Sequence, residues 1–271
     1  MTGLTTDLRE EGLALFKLLS NKPDAFWHVK TQFKDWTVWD VIAHLHFSDH
    51  LAMTTARSAE DFDTLSTDLM VHFQKGLGLK EYARSWLGSV SGPDLFVRWR
   101  TTFLQMCDLF DELPSGVRLK WFGPDMGVRM FATARQMETW AHGQALYDLL
   151  GVNREDTDRI KNIVVIGVKT FAFAHKNRGL NVPDTVPTLR LVAPSDDIWD
   201  FEGEGAGGMI SGSAVEFAQV VTQTRNIADT NLTLEGNVAQ NWMQIAQCFA
   251  GAPENPPAAE TRFSNKRPIK F

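Results

Sequence analysis

The residues best placed to do chemistry are Glu138 and His142, within the run from Ala134 to Leu146 (ARQMETWAHGQAL). This run reads as one long helix. At about 100° per residue, Val128, Phe131, Ala134, Ala145, Leu146 and Leu149 share one wide apolar stripe. Glu138 and His142 lie in the middle of that stripe, not on its polar edge. Their spacing of four stacks them on the same face, about one turn apart. A carboxylate and an imidazole aimed into a core are costly unless something satisfies them. A metal ion would do so. The bland alternative is local: Arg135 could pair with Glu138, and His142 could donate to a buried carbonyl. A bare E-x-x-x-H string does not choose between the two. A third ligand would.

Candidates for that ligand crowd an earlier helix, which carries His44, His46 and His50 within seven residues, with Asp49 among them. Its helical wheel does not choose. His44 flanks the apolar stripe on one side, His46 and His50 lie on the other, and Asp49 is nearer the centre. By spacing alone His46 and His50 form a metal pair of their own, and a partly exposed polar edge explains them equally simply. His28, His72 and His175 read as isolated surface or core histidines.

These residues need elements to hold them. Thr5 or Thr6 can cap a first helix carrying Leu8, Leu13, Phe16, Leu18 and Leu19, stopped by Asn21-Lys-Pro-Asp. Residues 26–36 read as a connector with two exposed aromatics. Thr37 caps a second helix from Val38 to Ser58. Asp61 to Trp86 reads as irregular, with one or two short helices broken by Gly76 and Gly78. Gly92-Pro93 opens a third long helix through Leu113, since proline is tolerated in a first turn. A loop from Trp121 leads into the helix of Glu138 and His142. Four long helices with one insertion predict a four-helix bundle, a common place for metal sites.

The character changes after residue 155. Asp158 to Arg178 reads as a further helix. Residues 188–193 and 197–202 alternate like strands, and residues 209–213 read as a third. Ser213 caps a helix to Gln223, residues 232–236 are strand-like, and Asn237 starts a last helix through Ala250. The expected class is therefore α+β: a bundle over residues 1–155, a smaller α+β domain over 156–252, and an extended tail over 253–271. Gly203 to Gly208 invites a phosphate-loop reading, but it lacks the lysine and the strand–glycine–helix placement. A flexible hairpin turn is the simpler expectation.

Composition bounds the rest. A chain of 271 residues has room for two cores. A net charge of −6 argues against a nucleic-acid partner. The acidic start has no signal-peptide pattern, and the longest apolar runs, such as Ile163 to Ile166, are too short to cross a membrane. Two cysteines, Cys107 and Cys248, in apolar surroundings read as inert core residues. The expected location is the cytoplasm.

Residues 36–45 (WTVWDVIAHL), followed by Glu138-Thr-Trp-Ala-His142-Gly, resemble the DinB-like superfamily, and most closely the metal-binding domain of the mycothiol-dependent maleylpyruvate isomerase family. The resemblance continues more loosely through Ile210-Ser-Gly-Ser-Ala, Arg225 and the run from Leu234 to Trp242. It implies one divalent metal on His44, Glu138 and His142. Zinc is the first expectation, and nickel, manganese or iron suit the same donors. Two histidines and one carboxylate leave open positions on zinc, as in catalytic sites. A thiol or water there would lose its proton readily. The resemblance further implies a low-molecular-weight thiol cofactor, a small electrophilic substrate, and isomerisation or transfer as the reaction. It also implies an arginine of the second domain, matched here to Arg225, which could hold a substrate carboxylate by a bidentate pair. A cation satisfying the end of a helix explains Arg225 equally well. The alternative function is a non-catalytic metal-dependent ligand-binding or stress-response protein. Bundles of this kind also form homodimers.

Overall fold

The computed structural model describes residues 5–123, 125–203 and 207–265. It divides into two compact units, the first ending at Leu149 and the second beginning at Leu150. The class is α+β.

The first unit contains α1 (Thr6–Leu19), α2 (Val38–Arg57), α3 (Ala59–Gln74), α4 (Leu79–Leu87), α5 (Gly92–Glu112) and α6 (Val128–Leu150). A short antiparallel ribbon, β1 (Arg118–Leu119) with β2 (Met126–Gly127), precedes α6. The long helices α1, α2, α5 and α6 are the four of the bundle. Their core is rich in rings: Phe16 meets Trp99 edge-on at 4.8 Å and Phe103 at 5.5 Å, and Phe110 meets Phe131 at 5.7 Å.

The central helix is α2. Every residue from Val38 to Asp49 is buried. Its start is a reciprocal cap: Asp40 N–H donates to Thr37 Oγ1 at 3.2 Å, and Thr37 N–H donates to Asp40 Oδ2 at 2.9 Å. Asp40 also accepts from Arg84 Nε at 2.5 Å, which fastens α4 against α2. The segment from 61 to 86 departs from the irregular stretch expected. It is the helix pair α3–α4, and α3 follows α2 after the single residue Ser58. Ser58 ends one helix and caps the next, accepting from Asp61 N–H at 3.1 Å. Only Phe62 and Leu69 of α3 are buried, so little of it joins the core.

The second unit contains α7 (Lys161–Lys169), α8 (Phe171–Lys176), α9 (Ala214–Val221) and α10 (Asn237–Ile245) around a four-stranded sheet. Its strands are β3 (Thr188–Val192), β4 (Ile198–Phe201), β5 (Met209–Ser213) and β6 (Thr233–Glu235), in the order β4-β3-β5-β6. The single helix expected over 158–178 is two. Thr170 sits at the break, its hydroxyl bonded back to the Ile166 and Gly167 carbonyls at 2.9 Å each.

The glycine-rich stretch is not a hairpin turn. It joins β4 to β5, which are not neighbours, since both pair with β3 and β5 runs parallel to it. A Cβ on Gly203 would lie 2.1 Å from the Val186 carbonyl oxygen, so only glycine fits there. Residues 204–206 lie outside the described residues. Residues 253–265 carry neither helix nor strand. Side chains tether them: Asn226 Nδ2 donates to the Pro257 carbonyl at 2.7 Å, and Gln223 Nε2 to that of Glu254 at 2.8 Å.

Candidate metal centre

The structure brings His44 of α2 together with Glu138 and His142 of α6. Both Nε2 atoms lie 3.3 Å from the same oxygen, Glu138 Oε2. One donor atom from each residue falls within 4.8 Å of the others, and this is the only such group of three among the described residues. The two imidazole rings are 4.3 Å apart, centre to centre. The spacing of four on α6 supplies two candidate donors, and the third arrives across the bundle.

Burial and charge shape the trio. Burial opposes the Glu138 charge, but hydrogen bonds from His142 and His44 hold its carboxyl well below the ordinary 4.5. Burial, with the neighbouring His142, pushes the His44 imidazole down from 6.5 to about 4. An ionised carboxylate beside a neutral imidazole is the protonation state a divalent cation needs of these donors. The outer nitrogens, His44 Nδ1 and His142 Nδ1, are buried and have no hydrogen-bond partner among the described residues.

Arg135 does not pair with Glu138. Its Nε and Nη2 both reach Asp49 Oδ1 of α2 at 2.9 Å, and Trp99 Nε1 of α5 donates to Asp49 Oδ2 at 2.9 Å. One buried carboxylate thus ties three helices together below the trio. Asp49 belongs to this link. Burial pushes its carboxyl up, against the pull of Arg135.

His46 and His50 face the indole of Trp86, with ring centres at 5.5 and 4.9 Å. His46 is only 6% exposed, and burial, then His50 and Arg98, push it down to about 4. It is no surface edge. Cys107 and Cys248 are buried, and burial pushes the Cys107 thiol up to about 12.

The depressed histidines fix the acid limit of the metal-free protein. Each binds its proton near 6.5 when unfolded and near 4 when folded. The unfolded chain therefore holds more protons between those values. Stability is complete above pH 6.5 and falls as the pH drops toward 4, by about 1.4 kcal/mol per unit for each histidine. Urea midpoints of chelator-treated protein at intervals across that window should show the loss. His46→Gln should make the slope shallower, and a flat profile would contradict these environments.

What sequence reading missed is the aromatic wall. Trp36 lies nearly parallel to the His142 ring, 5.9 Å away at 13°, and meets His44 at 5.6 Å. Phe33 meets His142 edge-on at 5.0 Å. Phe26 and Trp27 of the same connector are buried in the core instead. Trp39 is committed elsewhere: its Nε1 donates to the Val90 carbonyl at 3.0 Å and its ring lies under Arg84. The signal that could have found the wall was the adjacency of Trp36 to the Thr37 cap.

In the second unit, Arg225 lines an open cavity of about 1030 Å³ with Asp229, Asn231, Glu260, Arg262 and Asn265. One guanidinium nitrogen, Nη1, donates to the Thr224 carbonyl at 2.9 Å, just past the end of α9.

Residues 8–147 match the family model described as the mycothiol maleylpyruvate isomerase N-terminal domain, a span that includes all of the trio. The chain belongs to this family. Similar curated proteins are the Mycobacterium tuberculosis uncharacterized proteins MT0041 (strain CDC 1551 / Oshkosh) and Rv0036c (strain ATCC 25618 / H37Rv). Each is 35% identical over 247 residues, covering 91% of this chain and 95% of its own. The crystal structure of the mycothiol-dependent maleylpyruvate isomerase is similar with a TM-score of 0.52, at 13% identity, over 80% of this chain and 86% of that one. A mutant of that enzyme gives 0.51 at 14% identity. Membership in the family thus rests on sequence over the first unit, and the likeness of fold reaches into the second. No helix among the described residues is long and apolar enough to cross a membrane.

Proposed function

We propose that this family member is a metal-dependent, thiol-using enzyme of the cytoplasm, acting on a small electrophilic substrate by isomerisation or transfer. The observation that carries the reading is the convergence of three donor atoms within 4.8 Å, two imidazole and one carboxylate, at the only such cluster among the described residues. His44, Glu138 and His142 would hold one divalent ion, zinc first. That ion would supply Lewis acidity and lower the pKa of a thiol or water beside it. The single carboxylate would offset part of the ion's charge, and two imidazole donors would leave the site cationic toward a thiolate. Trp36 and Phe33 keep one side of the trio apolar. Mycothiol, named for the structural neighbours and the family model, is the first thiol to test. Arg225 would hold a carboxylate of the substrate through its guanidinium.

The test has two stages. Untagged protein is assayed for metal by plasma mass spectrometry, as wild type and as His44→Ala, Glu138→Ala, His142→Ala and His46→Ala. The expected result is about one ion per chain in wild type and His46→Ala, and near none in the other three. Loaded protein is then assayed for cis–trans isomerisation of maleylpyruvate with mycothiol, beside Arg225→Ala. Turnover lost without thiol and in Arg225→Ala supports the enzyme. Metal and thiol binding without turnover on any electrophile would favour a metal-dependent binding protein. No ion after zinc reconstitution would overturn the proposal.

A further inference from the structure

Histidine ligands are ordinarily aimed by their second nitrogen, whose N–H donates to a carboxylate or carbonyl and fixes both tautomer and ring direction. Among the described residues neither ring has that device. His44 Nδ1 and His142 Nδ1 are both buried without a protein partner. Something else must hold two rings so that both Nε2 atoms meet one oxygen at 3.3 Å.

We infer that Trp36, with Phe33 beside it, is the positioning residue of the metal ligands, setting their ring planes by stacking where a hydrogen bond ordinarily would. The inference rests on the metal reading above. Its geometry is specific. Trp36 lies at 13° to the His142 plane, an offset stack, while it meets His44 at 63° and 5.6 Å. Phe33 stands at 87° to His142, 5.0 Å away. A stack on one ring and edges on both leave His142 little freedom to turn about its Cβ–Cγ bond.

The wall is anchored independently of the histidines. Lys34 and Asp35 both adopt left-handed backbone, with φ of 50° and 55°, which turns the chain sharply back. The Trp36 carbonyl accepts from Thr31 N–H at 2.7 Å and from Thr31 Oγ1 at 2.9 Å. Trp36 N–H donates to the Phe33 carbonyl at 2.8 Å. Lys30 pairs with Thr37, and Val38 N–H closes onto the Val29 carbonyl at 3.0 Å. Lys34 at positive φ costs free energy, while Asp35 tolerates that region better. Their effect is to deliver one indole, immediately before the α2 cap, onto two imidazoles. A ring so fixed can preorganise donors before any ion arrives.

The test measures metal affinity and coordination geometry, not turnover. Wild type, Trp36→Phe, Trp36→Leu, Trp36→Ala and Phe33→Leu are titrated with zinc against a chromogenic chelator, and their cobalt adducts are read by visible absorption. Circular dichroism confirms the fold of each. Trp36→Ala and Trp36→Leu should bind zinc about 10- to 100-fold more weakly, the range for losing the support of a ligand. Their cobalt bands should shift or lose intensity, which a merely structural loss would not produce. Trp36→Phe, still a ring, should recover most of the affinity, and Phe33→Leu should show a smaller loss. Where Trp36→Ala fails to fold, the leucine variants carry the comparison. Wild-type affinity and an unchanged cobalt spectrum in folded Trp36→Leu would overturn the inference while leaving the metal reading intact. Failure of wild type itself to bind either ion would overturn both.

Discussion

Asp49→Leu should lower the unfolding free energy of the first unit by about 3–5 kcal/mol, the range for removing one partner of a buried ion pair. Asp49 is fully buried and Arg135 is 3% exposed. With the carboxylate gone, the guanidinium stays in the core with no opposite charge, and Trp99 Nε1 loses its acceptor. The cost is the stranded charge rather than the worth of the pair. A double variant, Asp49→Leu with Arg135→Met, should therefore recover most of the loss, because apolar groups of similar volume often replace such a pair without penalty. Urea unfolding of the three proteins beside wild type measures this. A single variant within about 1 kcal/mol of wild type would mean that Arg135 finds another acceptor or water.

The same pair explains why the trio is aligned. Arg135 lies three residues before Glu138, and Asp49 lies five after His44. Fixing Arg135 to Asp49 fixes the axial register of α6 against α2, and with it the meeting of Glu138 and His142 with His44. A double variant that regains stability should still bind zinc less tightly than wild type, since apolar packing sets register less sharply than a charged hydrogen bond. The polar link below the site is thus about alignment more than about net stability.

Much of this was legible in the sequence, for reasons that differ by residue. Glu138 and His142 stood out because two polar groups four apart fell among apolar residues at helical spacing. Thr37 was readable as a cap because its chemistry is local. His44 was not separable from His46 on the wheel, and α2 shows why: buried throughout its first dozen residues, it has no solvent face there to give the wheel a direction. The motif resemblance chose His44 where geometry could not. Arg135 was offered its nearest carboxylate, Glu138, yet its partner lies 86 residues away. Trp36 was hidden because its turn uses Lys34 and Asp35 at positive φ, without the glycine or asparagine that marks such turns. The sheet order was hidden because alternation reports a strand but not its neighbour, so the parallel pairing of β3 with β5 made a crossover look like a hairpin.

Glu138→Gln should cost at least about 100-fold in zinc affinity while leaving the bundle folded. The amide keeps the shape of the carboxylate and still offers one oxygen where Oε2 meets both Nε2 atoms at 3.3 Å. What it removes is the only anionic donor of the trio. A divalent ion held by His44, His142 and a neutral amide would keep its full charge in a site enclosed by Trp36 and Phe33, and burying uncompensated charge is costly. The metal-free fold should lose the stability that the ionised carboxylate supplies at neutral pH, although the amide still accepts the same imidazole N–H. The acid sensitivity should change as well. Glu138 is held well below 4.5 by the histidines, so its contribution is present above that pH and is lost as the pH falls. Glutamine cannot lose a charge, and the lowest part of the acid transition should flatten in the variant. Chelator competition and urea unfolding on one preparation read both effects. An affinity within about threefold of wild type would remove Glu138 from the ligand set and leave it as a bridge that merely orders His44 and His142. A large affinity loss with an unchanged urea midpoint would assign the carboxylate to metal binding rather than to the fold.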